Sequence, residues 1–297
     1  MRRDAFSTYH PLINAVYFTA VLACGMVFMH PVFQGAALLG AIVYSAMLHG
    51  RKAARFHLLY MLPILLILAV ANPLFNHAGV TILFYLRDGN PVTLESILYG
   101  ASASCMLVTV TIWFSCFNKV MTSDKLIHLL GRALPAWSLL FSMVLRFVPR
   151  FRSQLRAVSL AQRSIGRDAT QGNVIQRARH GLRILSIMAT WAMENAIETA
   201  DAMKARGYGL PGRTSFAIFR FDRRDMAALA ALAALLAVVL LGAGWGENTI
   251  RFFPSIHVKE RSLRSAAVYA AYACLCLLPA MIQLVEDIKW KSIASKT

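Results

Sequence analysis

The sequence is poor in charged side chains, and acidic side chains are the rarest of them. Asp, Glu, Lys and Arg make up 15% of the 297 residues, and 14 acidic residues stand against 31 basic ones. An ordinary soluble domain has about 25% charged residues, so this scarcity argues against a soluble protein. Hydrophobic residues make up 58% of the chain, and its mean hydropathy is +0.55. We therefore expect a protein of the lipid bilayer.

Motifs for catalysis and for metal binding are also missing. The chain has no Gly-x-x-x-x-Gly-Lys-[Ser/Thr] phosphate loop, no His-Glu-x-x-His helix and no Gly-x-Ser-x-Gly elbow. The cysteines lack metal-ligand spacing and are odd in number, so we expect buried thiols rather than a metal site or a disulfide framework. They are Cys24, Cys105, Cys116, Cys274 and Cys276. The sequence therefore predicts no catalytic residue, no metal and no cofactor in this chain.

Long apolar stretches are what the sequence has instead. A membrane-spanning helix needs about 20 mostly apolar residues. Six stretches of roughly this kind run from Pro11 to Met29, Val32 to Leu48, Phe56 to Phe75, Leu94 to Phe117, Met226 to Trp245 and Ala266 to Leu284. The first could instead belong to a signal peptide ending near Cys24, but the apolar stretches downstream favour a span. The pattern predicts an all-α integral membrane protein with about six transmembrane helices.

These stretches divide the chain into three regions. Residues 1–117 form an N-terminal transmembrane region with four spans, 118–224 a cytoplasmic region and 225–297 a C-terminal transmembrane region with two spans. The central region carries 18 Lys and Arg against 6 Asp and Glu. Basic residues collect on the cytoplasmic side of a membrane. With both termini in the cytoplasm, 26 of the 31 basic residues lie inside, which predicts a multi-pass protein of the plasma membrane in that orientation.

Two long amphipathic helices are predicted in the central region. The first is apolar on most sides from Pro135 to Arg150, which could be a re-entrant or interfacial helix, and it turns amphipathic beyond Pro149 and ends near Gly166. A second periodic stretch runs from about Asn173 to Arg206, roughly 50 Å at 1.5 Å per residue. Gly207 then supplies the φ > 0 residue that commonly ends a helix. We expect a rigid pair of long helices on the cytoplasmic side.

The segment between the third and fourth spans contains a β-rich run and an Asp88-Gly89 turn, which predict a small external hairpin. Asn72 and His77 could touch a substrate or line a path. The alternative is that an Asn-Pro pair at the end of a span satisfies freed backbone groups. Glu95 is the best candidate for an ionisable group inside a transport path, although it lies at the end of a span.

The end of the second long helix carries the most informative motif. Asp201-Ala202-Met203-Lys204-Ala205-Arg206-Gly207-Tyr208 resembles the second Ala-Arg-Gly motif of the transmembrane T component of energy-coupling factor transporters. Further matches follow in order along the chain: His10-Pro11-Leu12, Asn72-Pro73-Leu74-Phe75, Leu145-Arg146-Phe147-Val148-Pro149 and Ala161-Gln162. The resemblance implies two crossing cytoplasmic helices. It also implies that each capped end seats like a plug in a groove of one of two ABC-type ATPases.

The resemblance assigns the docking residues of one helix end and leaves those of the other end open. Ala205, Arg206, Gly207 and Tyr208 match the second motif. The first helix end departs from it, because Ala161-Gln162-Arg163-Ser164-Ile165-Gly166 has Ile165 where the family has arginine. Either Arg163 or Arg167, next to Asp168, could take the arginine's role. The alternative is that this end engages its ATPase through backbone and apolar contacts.

The function that the resemblance implies is energy coupling in an uptake transporter for a vitamin, another micronutrient or a metal ion. ATP and Mg²⁺ would be bound by the two partner ATPases, and the solute by a small membrane S component. No nucleic acid is expected. Two alternatives stay open: a secondary transporter or channel that uses Glu95, and a membrane scaffold that binds acidic protein or anionic lipid through its basic centre.

Overall fold

The computed structural model describes residues 4–85, 89–167, 170–208, 210, 219–246, 248–258 and 262–294. The described chain is mostly helical, with α1 (Pro11–Val27), α2 (Pro31–His49), α3 (Arg51–Phe56), α4 (Leu62–Phe75), α5 (Leu94–Val120), α6 (Ser123–Ala133), α7 (Pro135–Ser164), α8 (Val174–Ala205), α9 (Arg223–Gly244) and α10 (Leu263–Ala294). A π-helical turn, His57–Met61, joins α3 to α4. The chain forms two compact units, one of residues Met1–Leu126 with Phe219–Thr297 and one of residues Ile127–Ile218.

Apolar helices occur at all six positions predicted for membrane spans. Four are long and apolar enough to cross a bilayer: α2, α5, α9 and the Leu263–Ile293 part of α10. The other two are shorter, α1 and the helical stretch Leu59–Phe75. The all-α membrane fold is confirmed, and six is an approximate count of spans. The division into regions 1–117, 118–224 and 225–297 stays a prediction about membrane placement.

The first two helices begin with the same His-Pro device. His10 and His30 are the N-caps, and each ring Nδ1 accepts a hydrogen bond from the backbone N–H two residues on, at 3.2 Å and 3.3 Å. Pro11 and Pro31 occupy the first helical position, where a residue without an N–H leaves no donor unsatisfied. The sequence thus fixes both helix starts locally.

An aromatic cluster forms the centre of the unit Met1–Leu126 with Phe219–Thr297, which contains the span candidates and is called the membrane unit below. The rings of Phe6, Tyr17, Phe18, Tyr44 and Trp113 are buried and pack mostly edge to face, with the centroids of contacting pairs 5.0–6.3 Å apart. Edge-to-face packing lets each ring's positive edge meet its neighbour's negative face. These residues come from the N-terminal turn, α1, α2 and α5, so the cluster ties four separate segments together.

Close helix packing is visible where α2 meets α10. A Cβ added to Gly40 would lie 2.8 Å from the Cβ of Cys276. Only a glycine allows the two backbones to approach this closely, a common device in membrane helix pairs. The prediction that all five cysteines are buried is wrong for Cys274, which is exposed, and Cys105 is half-buried. Cys274 lies two residues from buried Cys276 on α10, on a different face of the helix.

A buried lysine secures the junction of α5 and α6. Lys125 is 6% exposed, and its Nζ donates to the carbonyl oxygens of Ser7 at 2.6 Å and Val120 at 3.0 Å. With its amide oriented to satisfy both neighbours, Asn14 accepts from the same Nζ at 2.9 Å. A buried charge is tolerated because hydrogen bonds use all three ammonium protons.

Asp4 lies in the same polar cluster. Its Oδ2 accepts from the Tyr44 hydroxyl and from the Ser7 N–H, both at 2.9 Å. Burial raises the pKa of the Asp4 carboxyl above its usual value and lowers the pKa of the Lys125 ammonium. The cluster therefore anchors the N-terminal turn to α2 and to the start of α6.

The hairpin predicted between the third and fourth spans is confirmed as a strand pair, and its position outside the membrane stays a prediction. Strands β1 (Ile82–Tyr85) and β2 (Pro91–Thr93) pair antiparallel, with Ile82 opposite Thr93. Asp88 of the predicted turn lies outside the described residues. A second small pair, β3 (Ile250–Arg251) and β4 (His257–Val258), was not predicted. Its strands have two residues each, too few for a period-2 pattern to show.

Asn72 and Glu95 have structural partners. The Asn72 Nδ2 donates to the Ser96 carbonyl at 2.9 Å, which ties α4 to the start of α5. Glu95 is 2% exposed, and its Oε1 accepts from the Thr81 hydroxyl at 2.8 Å and from the Thr81 N–H at 3.2 Å. His77 contacts the Pro91 carbonyl at 3.2 Å. Since these groups hold the hairpin on α5, the secondary-transporter alternative gains no support from them.

We predict that Lys125→Met destabilises the membrane unit. The substitution keeps the chain length but leaves two carbonyls and the Asn14 amide without their donor, and breaking such a buried charged network costs about 3 kcal/mol. Thermal unfolding in detergent, followed by tryptophan fluorescence, measures the loss.

Lys119→Met is the matched control. Lys119 is exposed and its Nζ donates to one carbonyl, that of Leu48. Its loss should cost less than about 1 kcal/mol. Equal shifts for the two variants would contradict the anchoring role of Lys125.

Candidate functional site: two capped helix ends

Helices α7 and α8 cross at an aromatic contact. The rings of Phe151 and Trp191 lie 5.1 Å apart, edge to face, and the Arg150 guanidinium lies over the Trp191 ring at 5.7 Å. Ile184 and Met188 are buried beside it. Beyond this contact α7 continues for 13 residues to Ser164 and α8 for 14 residues to Ala205. Each helix thus extends about 20 Å past the crossing.

The end of α8 is a Schellman motif. Gly207, with φ of +75°, donates its N–H to the Lys204 carbonyl at 3.0 Å, and the Tyr208 N–H donates to the Met203 carbonyl at 3.1 Å. These two bonds satisfy carbonyls that the helix itself leaves without donors. Arg206 is the C-cap, as the sequence predicts from Gly207.

The end of α7 repeats this motif bond for bond. Gly166 also has φ of +75°, and its N–H donates to the Arg163 carbonyl at 3.0 Å. The Arg167 N–H donates to the Gln162 carbonyl at 2.9 Å. The C-cap here is Ile165. The two ends therefore superpose position by position, and Ile165 occupies the place that Arg206 occupies on α8.

The predicted docking residues lie at these two ends. Those that are exposed are Ala161, Arg163, Gly166, Arg167, Ala205, Arg206 and Tyr208. Gln162 and Gly207 are half-buried. The Gln162 Oε1 is buried and has no hydrogen-bond partner in the described part of the chain. Asp168 lies outside the described residues.

Lys204 differs from Arg206 in its surroundings. Both are exposed, but only Arg206 lines a cleft. Among the described residues, Lys204 forms no ion pair with Asp201 or Glu198, although helical spacing brings all three to the same end of α8. Lys204 is thus a solvated cation near the carbonyl end of the helix, where a positive charge is favourable.

The cleft beside Arg206 is a feature that the sequence analysis did not predict. It has a volume of about 720 Å³ and lies between the middle of α7 and the end of α8. Arg146 and Arg150 line it from α7, and Glu198, Arg206 and Tyr208 from the α8 side. The Leu145–Pro149 motif and the Ala205–Tyr208 motif, far apart in sequence, therefore border one polar cleft.

An apolar groove lies farther along the same two helices. It has a volume of about 910 Å³. Side chains that line it include Phe147, Phe151, Leu155, Ile184, Leu185 and Met188. Leu155 and Leu185 are exposed, although both would be favourable in a core. Exposed apolar surface of this kind occurs at sites of interaction with other proteins or with a membrane.

Comparison with known proteins tests the resemblance. The chain is 35% identical over 105 residues to the energy-coupling factor transporter transmembrane protein EcfT of Lacticaseibacillus paracasei. It is 28% identical over 193 residues to EcfT 1 of Listeria monocytogenes and 27% identical over 232 residues to EcfT of Listeria innocua. The chain is therefore similar in sequence to EcfT transmembrane proteins. No protein-family model matches it.

The extent of similarity differs among these EcfT homologues. The match covers 35% of this chain and 40% of the L. paracasei protein, so it spans less than half of that relative. It covers 61% of this chain and 69% of the L. monocytogenes protein. With L. innocua EcfT it covers 72% of this chain and 86% of the relative. The resemblance read from the motifs is therefore confirmed.

We predict that Gly166→Ala and Gly207→Ala each fray the helix end in which they lie. An L-residue with Cβ at positive φ costs roughly 1–2 kcal/mol. At Gly166 the added Cβ meets open space, so backbone strain acts alone, whereas at Gly207 it also lies 3.1 Å from Leu210 Cδ1. Hydrogen exchange of the last-turn amides should be about fivefold or more faster in both variants.

Gly181→Ala is the control within α8. Gly181 has no positive φ, and its added Cβ meets open space. Alanine favours a helix interior by about 1 kcal/mol over glycine, so exchange should slow or stay unchanged. Faster exchange in Gly181→Ala would contradict an effect specific to the caps.

Proposed function

We propose that this chain is the energy-coupling transmembrane subunit of an energy-coupling factor uptake transporter. In this proposal two ABC-type ATPases dock on the ends of α7 and α8, and their ATP-driven motion passes through these helices to a substrate-binding membrane subunit. The observation that carries the proposal is the pair of identical Schellman caps on two crossing helices. The homologues, named as transmembrane proteins of such transporters, support it.

The geometry of the α8 end suits a docking joint. A Schellman cap stops the helix at a fixed residue and leaves Arg206 exposed at its tip. A planar guanidinium can hold a carboxylate or carbonyl pair at fixed geometry, which keeps a force-bearing contact in register. We assign Ala205, Arg206, Gly207 and Tyr208 to the contact with one ATPase.

The α7 end is assigned to the second ATPase. Its contact would comprise Ala161, Gln162, Arg163, Gly166, Arg167 and Asp168. Arg163 and Arg167 bracket the cap at positions where their cations also complement the carbonyl end of α7. The chain lacks a phosphate loop, so we assign ATP and Mg²⁺ to the partner ATPases and no catalytic residue to this chain.

The apolar groove of the cytoplasmic unit supports a third contact. We assign it to the small substrate-binding S component, because an exposed apolar groove on the coupling helices suits an apolar partner. Motion of the helices would then reach the subunit that holds the solute. The transported solute, a vitamin, another micronutrient or a metal ion, is the S component's property in this proposal.

The proposed location is the plasma membrane, with both termini and the α7–α8 unit in the cytoplasm. The asymmetry of 26 basic residues against five supports it. A reporter active only in the cytoplasm should be active when fused after Thr170 and inactive after Asn90. The reverse result would show that the chain is inverted and that its basic centre cannot meet cytoplasmic ATPases.

We predict that Arg206→Ala releases one ATPase and strongly reduces uptake while insertion stays normal. Truncating one member of a desolvated charge pair costs about 2–5 kcal/mol, a roughly thirtyfold to several-thousandfold loss of affinity. Affinity of the purified chain for the ATPases that copurify with it, together with uptake in vesicles, measures the effect.

Lys204→Ala is the control because it removes a neighbouring cation that lines no cleft. Its ATPase affinity and uptake should match wild type. Equal defects in the two variants would indicate a diffuse basic patch rather than a plug, and normal uptake by Arg206→Ala would refute the assignment of Arg206.

A further inference from the structure

The two helix ends share one backbone geometry and differ in their cap side chain. Ile165 has φ of −98° and ψ of 19°, and Arg206 has φ of −86° and ψ of 6°. The hydrogen bonds that follow each cap join equivalent atoms at distances within 0.2 Å of each other. The Cα–Cβ bonds of Ile165 and Arg206 therefore leave their helix ends in the same direction. A partner that covers the α8 end therefore contacts a guanidinium, and a partner that covers the α7 end contacts the branched apolar side chain of isoleucine.

These two groups require opposite surroundings when they are covered by a partner. A guanidinium has five N–H donors, and each donor left without an acceptor on burial is costly. An isoleucine side chain gains from burial against apolar atoms and offers no hydrogen bond. Ile165 is 59% exposed in this chain, so more than half of that gain is still available to a partner.

The cations near Ile165 do not occupy the cap position. Arg163 precedes Ile165 by two residues and Arg167 follows it by two, and both are exposed. In the α8 end the corresponding positions hold Lys204 and Tyr208. A partner surface that fits the α7 end thus needs an apolar centre for Ile165 and acidic or carbonyl groups at its edge.

We propose that the α7 end docks through Ile165 into an apolar pocket with an acidic rim, while the α8 end docks through Arg206 into a polar, carboxylate- or carbonyl-lined groove. The inference rests on the proposed function and specifies the chemistry of its two joints. The two ATPase surfaces that receive the ends are then different, and the two ends cannot be exchanged.

The test places one photo-crosslinking residue at each end of the full-length chain. Leu160 and Asp201 are suitable because both are exposed and each lies four residues before the last residue of its helix. Crosslinks to the ATPases that copurify with the wild-type chain then report each joint separately. If wild type gives no ATPase crosslink at either position, the proposed function fails, independently of the inference about Ile165.

Four variants decide the inference. Ile165→Arg should lower crosslinking at Leu160 by about tenfold or more and leave Asp201 unchanged, because a guanidinium enters an apolar pocket. Arg206→Ile should do the reverse. Ile165→Met keeps volume and apolarity and should match wild type. Ile165→Ala should weaken the α7 joint by about five- to thirtyfold without a new charge to disturb folding.

Two results would overturn the proposal. Undiminished crosslinking at Leu160 in Ile165→Arg would show that the pocket accepts a guanidinium. Undiminished crosslinking in Ile165→Ala would show that the isoleucine contributes nothing, even if Ile165→Arg fails for other reasons. If Ile165→Arg loses crosslinking at both Leu160 and Asp201, the Ile165→Ala result decides between the two explanations. The alanine variant removes the apolar contact and adds no charge.

Discussion

The constraint on which this structure depends is that every backbone N–H and C=O in an apolar chain needs a partner within the protein. Inside a bilayer a helix is the simplest solution, because it satisfies its own backbone along its whole length except at its ends. The ends then decide the architecture. His10 and His30 cap helix starts, and Asn72 joins α4 to α5 through the Ser96 carbonyl. The same demand, met in the unit Ile127–Ile218 by Gly166 and Gly207, shapes the two exposed helix ends.

Much of this architecture could be predicted because its signals are local. Apolar stretches predict the membrane helices, proline marks the starts of α1, α2 and α7, and Asn173 and Gly207 bracket α8. The missed elements have weak or nonlocal signals. β3 and β4 are too short to show a period, and the environment of Lys125 depends on Ser7 and Asn14, more than a hundred residues away.

The candidate site also has some features that could be predicted from the sequence and others that could not. Both caps could be predicted from a glycine that follows a periodic stretch, and the Ala-Arg-Gly resemblance identified the α8 end. The resemblance already places Ile165 where the motif has arginine, but the matching hydrogen bonds of the two caps could not be predicted, since they depend on which carbonyl each capping N–H selects. The cleft that Arg146 and Arg206 both line could not be predicted from the sequence either, because it forms only when α7 and α8 cross.

The proposed coupling role places a mechanical requirement on α7, and Pro149 is where it is most severe. Proline cannot donate to the carbonyl four residues earlier, and its ring crowds that carbonyl, so a helix is weakest at this point. α7 nevertheless continues through Pro149 to Ser164, and Phe151 and Arg150 pack on Trp191 of α8 directly after it. The crossing contact thus braces the helix where its own hydrogen bonding is incomplete. Because the brace sits at the crossing, load applied at either tip acts on about 20 Å of unbroken helix before it reaches the point where the two helices support each other.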